Sequence, residues 1–355
     1  MLAFSQAILY VCLMFLMGTF ILKSVPTSAR PDIAVPKKAL LIAAILLPIA
    51  AFIPVFDVII HLENRLGFWQ ASMLTITSTT VGLSWIATVA FSVMLILVIA
   101  KGNFPRYSIL ILTLIIATLA WSRHTASIQF TTGIINDFIH TLAMSAWVGT
   151  LFVVSFFSKN DKNWLAFLKW FTILAAVCLF VIMISGLLLM GVLIPGYVAS
   201  WITSYGQGLF IKHLFLIPIV FLAFANSVIG RFLLKRDYIF NPFPWVRAES
   251  IFLICILIVT AIFTQQQPPI HELTDSMISP VFEWLHGGIS VGGDTILSFA
   301  FSGAAVGFLS LATVAICVFL MSFLIRKIPV YATTLIGFVI VISVYLFVMK
   351  SVVLL

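Results

Sequence analysis

The fold is decided by stretches such as FTTGIINDFIHTLAMSAWVGTLFVVSFF, residues 130–157, in which Asp137 is the one carboxylate and no lysine or arginine occurs. A helix needs about 20 predominantly apolar residues to cross the hydrocarbon core of a bilayer, which is about 30 Å thick. This stretch is long and apolar enough to meet that requirement. We therefore predict that it forms a membrane-spanning helix that carries an ionisable group at an unusual depth.

The composition extends this prediction to the whole chain, which has 63% hydrophobic and 8% charged residues. Soluble domains carry about 25% charged residues, so this chain has too few to cover a water-facing surface. We predict an all-α, polytopic membrane helix bundle. The first apolar segment lacks a basic leader and a cleavage site, which favours a retained helix. The cysteines lie in apolar runs without a CxxC pair, which argues against disulfides and zinc sites.

Charge-free runs bounded by proline, glycine or basic residues predict about ten spans. Their predicted ranges are 2–22, 39–56, 72–100, 107–121, 130–157, 165–195, 208–233, 249–266, 296–325 and 329–349.

Basic residues alternate between the predicted loops. The loops that follow the odd-numbered spans, together with the span ends that adjoin them, hold fifteen of the nineteen lysines and arginines. Basic loops face the cytoplasm, so both termini are predicted to lie outside. This clustering between apolar runs also explains the net charge of +8 without a nucleic-acid partner.

All six histidines fall on the predicted outer side. His61 and His124 lie in the first two external loops, and His271 and His286 lie in the long external loop 267–295. His140 and His213 lie in the outer halves of the fifth and seventh spans, the latter in YGQGLFIKH (205–213). We predict that the chemistry of the protein is concentrated near the outer surface. Glu283 and His286 are spaced to line a short external helix.

On the fifth span, Asp137, His140, Met144 and Trp147 fall on one helix face. Ionisable residues at membrane depth usually face a bundle interior and line a site or path. Imidazole, thioether and carboxylate together suit a transition metal such as copper. The alternative is a purely structural pair, in which Asp137 bonds a neighbouring helix and His140 is its neutral partner.

On the seventh span, Lys212 either extends to the membrane interface or neutralises Asp137. Asn226, deeper in the same span, is predicted to hydrogen-bond another helix. The segment GAAVG (303–307) has the small-xxx-small spacing of a close helix contact.

These residues occur in a series of motifs that resembles the CopD (copper resistance D) family, including the membrane portion of YcnJ-type copper-uptake proteins. The motifs span about residues 120–270. They are DFIHTLAMSAWVGTLF (137–152), ISG (184–186), YGQGLFIKH with Tyr205 and Lys212, FAN (224–226), WVRAESIF (245–252) and TQQQPP (264–269). Thr150 stands where the family often has a second glycine.

The resemblance implies copper transport across a bacterial cytoplasmic membrane, usually import, by a protein that is not an enzyme and has no catalytic residues. It divides the chain into an N-terminal four-helix segment (1–121), a CopD-like core (122–269), and an external loop with two C-terminal helices (270–355). The CopC-like domain of some relatives is absent, so a separate extracytoplasmic copper carrier is expected as partner. No GxxxxGK[ST] motif occurs, which argues against an ATP-driven pump.

The predicted copper site comprises His140, Asp137, His213 and Met144, supplied by His124, His61, His271 and His286 and supported by Trp147, Lys212, Asn226 and Tyr205. The rival hypothesis is a membrane oxidoreductase that binds haem b through His140 and His213 and reduces Cu(II) at the outer face. A third is a non-catalytic membrane protein that docks a copper carrier without moving the ion.

Overall fold

The computed structural model describes residues 1–102, 104–122, 130–194, 196–236, 240–269, 277–287, 297–324 and 328–354. The helices are α1 Leu2–Ser24, α2 Lys37–Leu66, α3 Phe68–Ser78, α4 Thr80–Lys101, α5 Pro105–Trp121, α6 Phe130–Phe157, α7 Trp164–Leu193, α8 Ser204–Phe224, α9 Gly230–Arg236, α10 Phe243–Phe263, α11 Pro280–His286, α12 Gly303–Leu324 and α13 Val330–Ser351. A π-helical turn, Ala225–Ile229, joins α8 to α9, and 3-10 turns cover Thr27–Ala29 and Ala199–Ile202. Two short strands, β1 (Leu297–Phe299) and β2 (Val352–Leu354), pair antiparallel.

The all-α membrane bundle is confirmed. Within the described residues, nine helical segments are long and apolar enough to cross a membrane. The shorter apolar helix α5 has 17 residues, or about 25 Å of rise. Together these account for the ten predicted spans. The short helix predicted around Glu283 and His286 is present as α11.

The starts of α10 and α12 differ from the prediction by six and seven residues, and two larger differences change how the chain is divided. Helix α2 continues past residue 56 to Leu66 and ends where Gly67 adopts a positive φ of 77°. His61 therefore lies on a helix rather than in a loop. The predicted span 72–100 is interrupted at Thr79, which has extended backbone and accepts a hydrogen bond from Gly82 N. The extended backbone at Thr79 ends α3, and its side chain caps the start of α4, so the two helices are separate.

The chain forms two compact units, Met1–Val192 and Leu193–Leu355. In the first unit, α1 packs closely on α6 through a pair of glycines. A Cβ atom added at Gly149 would lie 2.2 Å from Met14 O, and one added at Gly18 would lie 2.0 Å from Gly149 C. Glycine at both positions therefore allows the two backbones to touch.

Three connections of the first unit meet at one end. Asn160 Nδ2, after α6, donates to Asp32 Oδ2, after α1, at 3.0 Å. Lys37 Nζ, at the start of α2, donates to Ala100 O, near the end of α4, at 2.8 Å. These segments belong to the basic loops that the sequence assigns to one membrane side. Their proximity agrees with the predicted alternation of basic loops between the two sides of the membrane. Which side these loops face stays a prediction.

In the second unit, a buried glutamine ties three elements together. Gln207 of α8 donates through Nε2 to Trp201 O and lies 3.3 Å from Met349 Sδ, while its Oε1 accepts from Tyr345 OH of α13. Each polar atom of the amide is thus paired, as burial requires.

The predicted close contact at GAAVG (303–307) was wrong. A Cβ atom added at Gly303 or Gly307 would meet no atom of the described residues within 4 Å. The spacing of small residues is compatible with a close contact but does not cause one, because a neighbouring backbone must also approach.

Candidate functional site

The polar face predicted on α6 lies largely inside the protein. Asp137, Met144 and Trp147 are 7%, 8% and 3% exposed, and His140 is half-buried. A carboxyl group at this depth has lost most of its hydration, so the protein must stabilise it through hydrogen bonds, a proton or a cation.

His140 is held by the neighbouring helix α7. Its Nδ1 lies 3.0 Å from Ser185 Oγ, and Ser185 Oγ lies 2.6 Å from Val181 O. A serine hydroxyl has one proton, and the carbonyl oxygen can only accept, so Ser185 donates to Val181. Ser185 therefore accepts from His140 Nδ1–H. In the neutral imidazole this places the lone pair on Nε2, which is the nitrogen able to ligate a metal.

Gly186 provides the space for this imidazole. A Cβ atom added there would lie 3.4 Å from His140 Cε1 and 3.8 Å from Nδ1. The ISG segment thus supplies Ser185 as a hydrogen-bond acceptor for the His140 imidazole and Gly186, which has no side chain, as the surface on which the same ring packs. The sequence singled out this segment through the family resemblance, but only the packing explains its contact with His140.

His213 of α8 has a different partner in the second unit. Its Nδ1 lies 2.7 Å from Tyr197 OH, and the two rings meet edge to face with centroids 5.5 Å apart. Burial raises the pKa of the Tyr197 hydroxyl. The phenol therefore keeps its proton at neutral pH and is able to donate to His213 Nδ1.

Lys212 and Tyr205 converge on one phenylalanine of α10. The ammonium of Lys212 lies 6.0 Å from the centroid of the Phe263 ring, and the Tyr205 ring meets the same ring edge to face at 5.1 Å. These contacts pack α8 on α10. The predicted neutralisation of Asp137 by Lys212 stays a prediction, since the two residues belong to different units.

Asn226, predicted to bond another helix, does so. It lies in the π-helical turn, and its Nδ2 donates to Glu249 Oε2 of α10 at 2.7 Å. Glu249 is 3% exposed. The sequence placed Glu249 in a family motif, WVRAESIF, but did not identify it as a buried partner of Asn226.

The remaining histidines are dispersed. His61 is exposed on α2, with its Nδ1 2.8 Å from Asp57 O and 3.7 Å from Asp57 Oδ2. His286 Nδ1 and Nε2 lie 2.9 Å and 3.0 Å from the carbonyl oxygens of Phe282 and Met349. Carbonyl oxygens only accept, so a metal at His286 would have to displace one of these contacts. His124 and His271 lie outside the described residues.

The part of the chain that the structure describes contains no group of three or more His, Cys, Asp or Glu side chains that could hold a metal ion. The predicted ligands are thus divided between the α6 face in the first unit and the α8 face in the second. Their assembly into one copper site stays a prediction.

Residues 165–263 match the CopD family model, described as copper resistance protein D. This range includes the ISG, YGQGLFIKH, FAN and WVRAESIF segments, whereas DFIHTLAMSAWVGTLF lies before it. No curated protein and no solved structure matches the chain. Over these residues the match confirms the resemblance to the CopD family, and with the apolar helices it indicates a copper-related multi-pass membrane protein.

Proposed function

We propose that this protein imports copper across the bacterial cytoplasmic membrane. The premise is that it is a CopD family protein, as the match of its residues 165–263 indicates. The observation that carries the proposal is the α6 face, where buried Asp137 precedes by one helical turn an imidazole oriented by Ser185. Copper is the transported substrate rather than a resident cofactor. An extracytoplasmic CopC-like carrier is the proposed source of the ion.

The electrostatics of the α6 face favour a cation over a neutral substrate. Moving a charged group to the bilayer centre costs at least ~2.5–3.5 kcal/mol. The Asp137 carboxylate offsets part of that cost for a cation, and it would add to the cost for an anion.

The donor atoms on this face favour copper among cations. His140 offers Nε2, and Met144, one turn further along α6, offers a buried thioether. Thioether ligands select for Cu(I), and imidazole accepts copper in both of its common oxidation states. Asp137, His140 and Met144 thus form the proposed outward-facing site.

Copper uptake by proteoliposomes that contain the purified full-length protein tests the proposal. We expect time-dependent accumulation of copper inside the vesicles, and the His140→Ala variant should accumulate copper at no more than about a tenth of that rate. Equal uptake by both proteins would remove His140 from the mechanism, and no uptake by either would reject transport. An absorption spectrum of the same samples tests the rival hypothesis, because a Soret band would identify a haem protein.

The Ser185 contact gives a second test. Replacing Ser185 by alanine removes the acceptor for His140 Nδ1–H, and loss of such an outer-shell partner typically costs 10–100-fold in metal affinity or activity. We expect a copper Kd raised by about tenfold, measured by titration of the purified protein with Cu(I) under a competing chelator. Ser185→Thr retains the hydroxyl and should bind nearly as well as wild type. If Ser185→Ala and Ser185→Thr bind copper with the same affinity, the Ser185 hydroxyl does not orient a ligand.

A further inference from the structure

The second unit contains a cavity of about 380 Å³ at one end of its helix bundle. Its wall is formed by the π-helical turn, the starts of α10 and α13, and the end of α12. The lining residues include Asn226, Leu233, Trp245 and Phe323. The connections at this end follow the seventh and ninth predicted spans, so the cavity is predicted to face the inner side of the membrane.

The polar wall of this cavity leads to a buried carboxyl group. Asn226 lines the cavity and donates to Glu249 Oε2 at 2.7 Å, and the same Nδ2 lies 3.4 Å from Trp245 O. The indole of Trp245 stacks on Phe323 with centroids 4.6 Å apart. Asn226 also belongs to a π-helical turn, an irregularity that occurs frequently at functional sites.

Glu249 has no cationic partner among the described residues. The hydrogen bond that its side chain receives from the described part of the chain comes from the neutral amide of Asn226. On its own helix, Arg247 lies over the Phe243 ring, with the guanidinium carbon 5.9 Å from the ring centroid. A carboxyl group at membrane depth without a counter-charge binds a proton or another cation.

Among the described side chains, the helices packed around Glu249 bring no ionisable group into hydrogen-bond contact with it. On α8, Lys212 and His213 are engaged near Phe263 and Tyr197. On α13, the Tyr345 hydroxyl bonds Gln207, and Lys350 Nζ bonds Leu285 O. The other ionisable groups with described side chains are Tyr205 of α8, which packs on Phe263, Cys255 of α10 itself, Tyr331 of α13, which is 72% exposed, the exposed Cys317 of α12, and Arg231 of α9. The hydrogen bond that the described residues give Glu249 comes from none of these.

We propose that Glu249 is a proton-binding site that exchanges with the inner side of the membrane through this cavity, and that it couples proton movement to transport. The step is the association of one proton with one carboxylate, with Asn226 holding the carboxyl group in place. A proton suits the site because a single carboxylate and one amide provide too few oxygen ligands to replace the hydration shell of a metal cation. The coupling rests on the proposed copper transport, whereas the proton binding does not.

Infrared difference spectroscopy of the purified full-length protein across a pH titration tests the proton site. We expect a protonated-carboxyl band that is lost in Glu249→Gln and retained in the matched control Glu283→Gln, which alters an exposed carboxyl group on α11. Retention of every band in Glu249→Gln would overturn the assignment. A band that responds to Na⁺ or K⁺ at constant pH would also overturn it, in favour of a metal cation. Glutamine retains an oxygen acceptor for Asn226, and gel filtration confirms that each variant is folded.

Exchange in D₂O tests the route. The band should shift within the mixing time in wild type and more slowly in Leu233→Trp, which fills the cavity without touching the carboxyl group. Equal exchange rates in a folded Leu233→Trp variant would reject the cavity as the path.

Copper uptake under an imposed pH difference tests the coupling separately. Wild-type uptake should change severalfold with the direction of the gradient, and uptake by Glu249→Gln should not respond to it. The same response in both proteins would overturn the coupling and leave the proton site to the infrared result. Absence of uptake in wild type would reject the proposed transport, and with it the coupling, while the infrared result would still decide the proton site.

Discussion

Replacing Asp137 by asparagine is expected to reduce the rate of copper uptake by more than tenfold. Asparagine has nearly the shape of aspartate, so the packing of the buried α6 face is retained while the negative charge is lost. A cation at membrane depth costs at least ~2.5–3.5 kcal/mol. Each ~1.4 kcal/mol of lost stabilisation lowers a rate tenfold. Losing even half of the compensation that Asp137 provides would therefore be visible in proteoliposome uptake.

Asp57→Asn is the matched control for this experiment. Asp57 also precedes a histidine by about one helical turn, but its side chain is 45% exposed and that of His61 is 75% exposed. Water screens an exposed charge, so its removal should change uptake less than twofold. Equal losses in the two variants would mean that burial of the carboxylate is irrelevant. An active Asp137→Asn variant would exclude Asp137 from the copper site.

Replacing Gly149 by leucine is expected to prevent α1 from packing on α6. Even a Cβ atom at Gly149 would lie 2.2 Å from Met14 O, which is backbone and has no rotamer to adjust. Overpacking in a core costs about 1–3 kcal/mol when side chains can rearrange, and more when they cannot. We expect the yield of monodisperse protein after detergent extraction to fall severalfold, measured by fluorescence-detected gel filtration.

Gly307→Leu makes the same chemical change at a position where a Cβ atom would meet none of the described atoms within 4 Å. Its yield should match that of wild type, which separates steric conflict from the general effect of replacing glycine in a membrane helix. A normal yield of Gly149→Leu, or a loss as large in Gly307→Leu, would contradict the packing argument.

The membrane helices were predictable because bilayer thickness imposes a local requirement on each segment. The range 130–157 agrees with α6 at both ends, and most other spans agree to within a few residues. The predicted helix ends were wrong where the local backbone conformation interrupted or extended a helix. Thr79 adopts extended backbone and divides one apolar run into α3 and α4. Helix α2 continues past Asp57, the charged residue before which its span was predicted to end, and reaches Leu66.

The candidate site was predictable in its residue types and only partly in its contacts. The depth of Asp137 follows from its position in an apolar run, and helix periodicity places His140 on the same face. Neither property identifies Ser185 as the partner of His140, because the two residues are 45 positions apart. Glu249 was noted within a motif, but its pairing with Asn226 depends on how α10 packs against the π-helical turn.

By itself, the sequence determined that this chain is a multi-span membrane protein, where the spans lie, and which of them contain ionisable groups. These properties depend on the transfer of each segment from water to hydrocarbon, which is a sum over neighbouring residues. Only the tertiary structure decided which nitrogen of His140 bonds Ser185, which amide meets Glu249, and which glycines bring two backbones together. Those properties depend on distances of a few ångströms between distant parts of the chain, which helix packing sets and residue spacing does not.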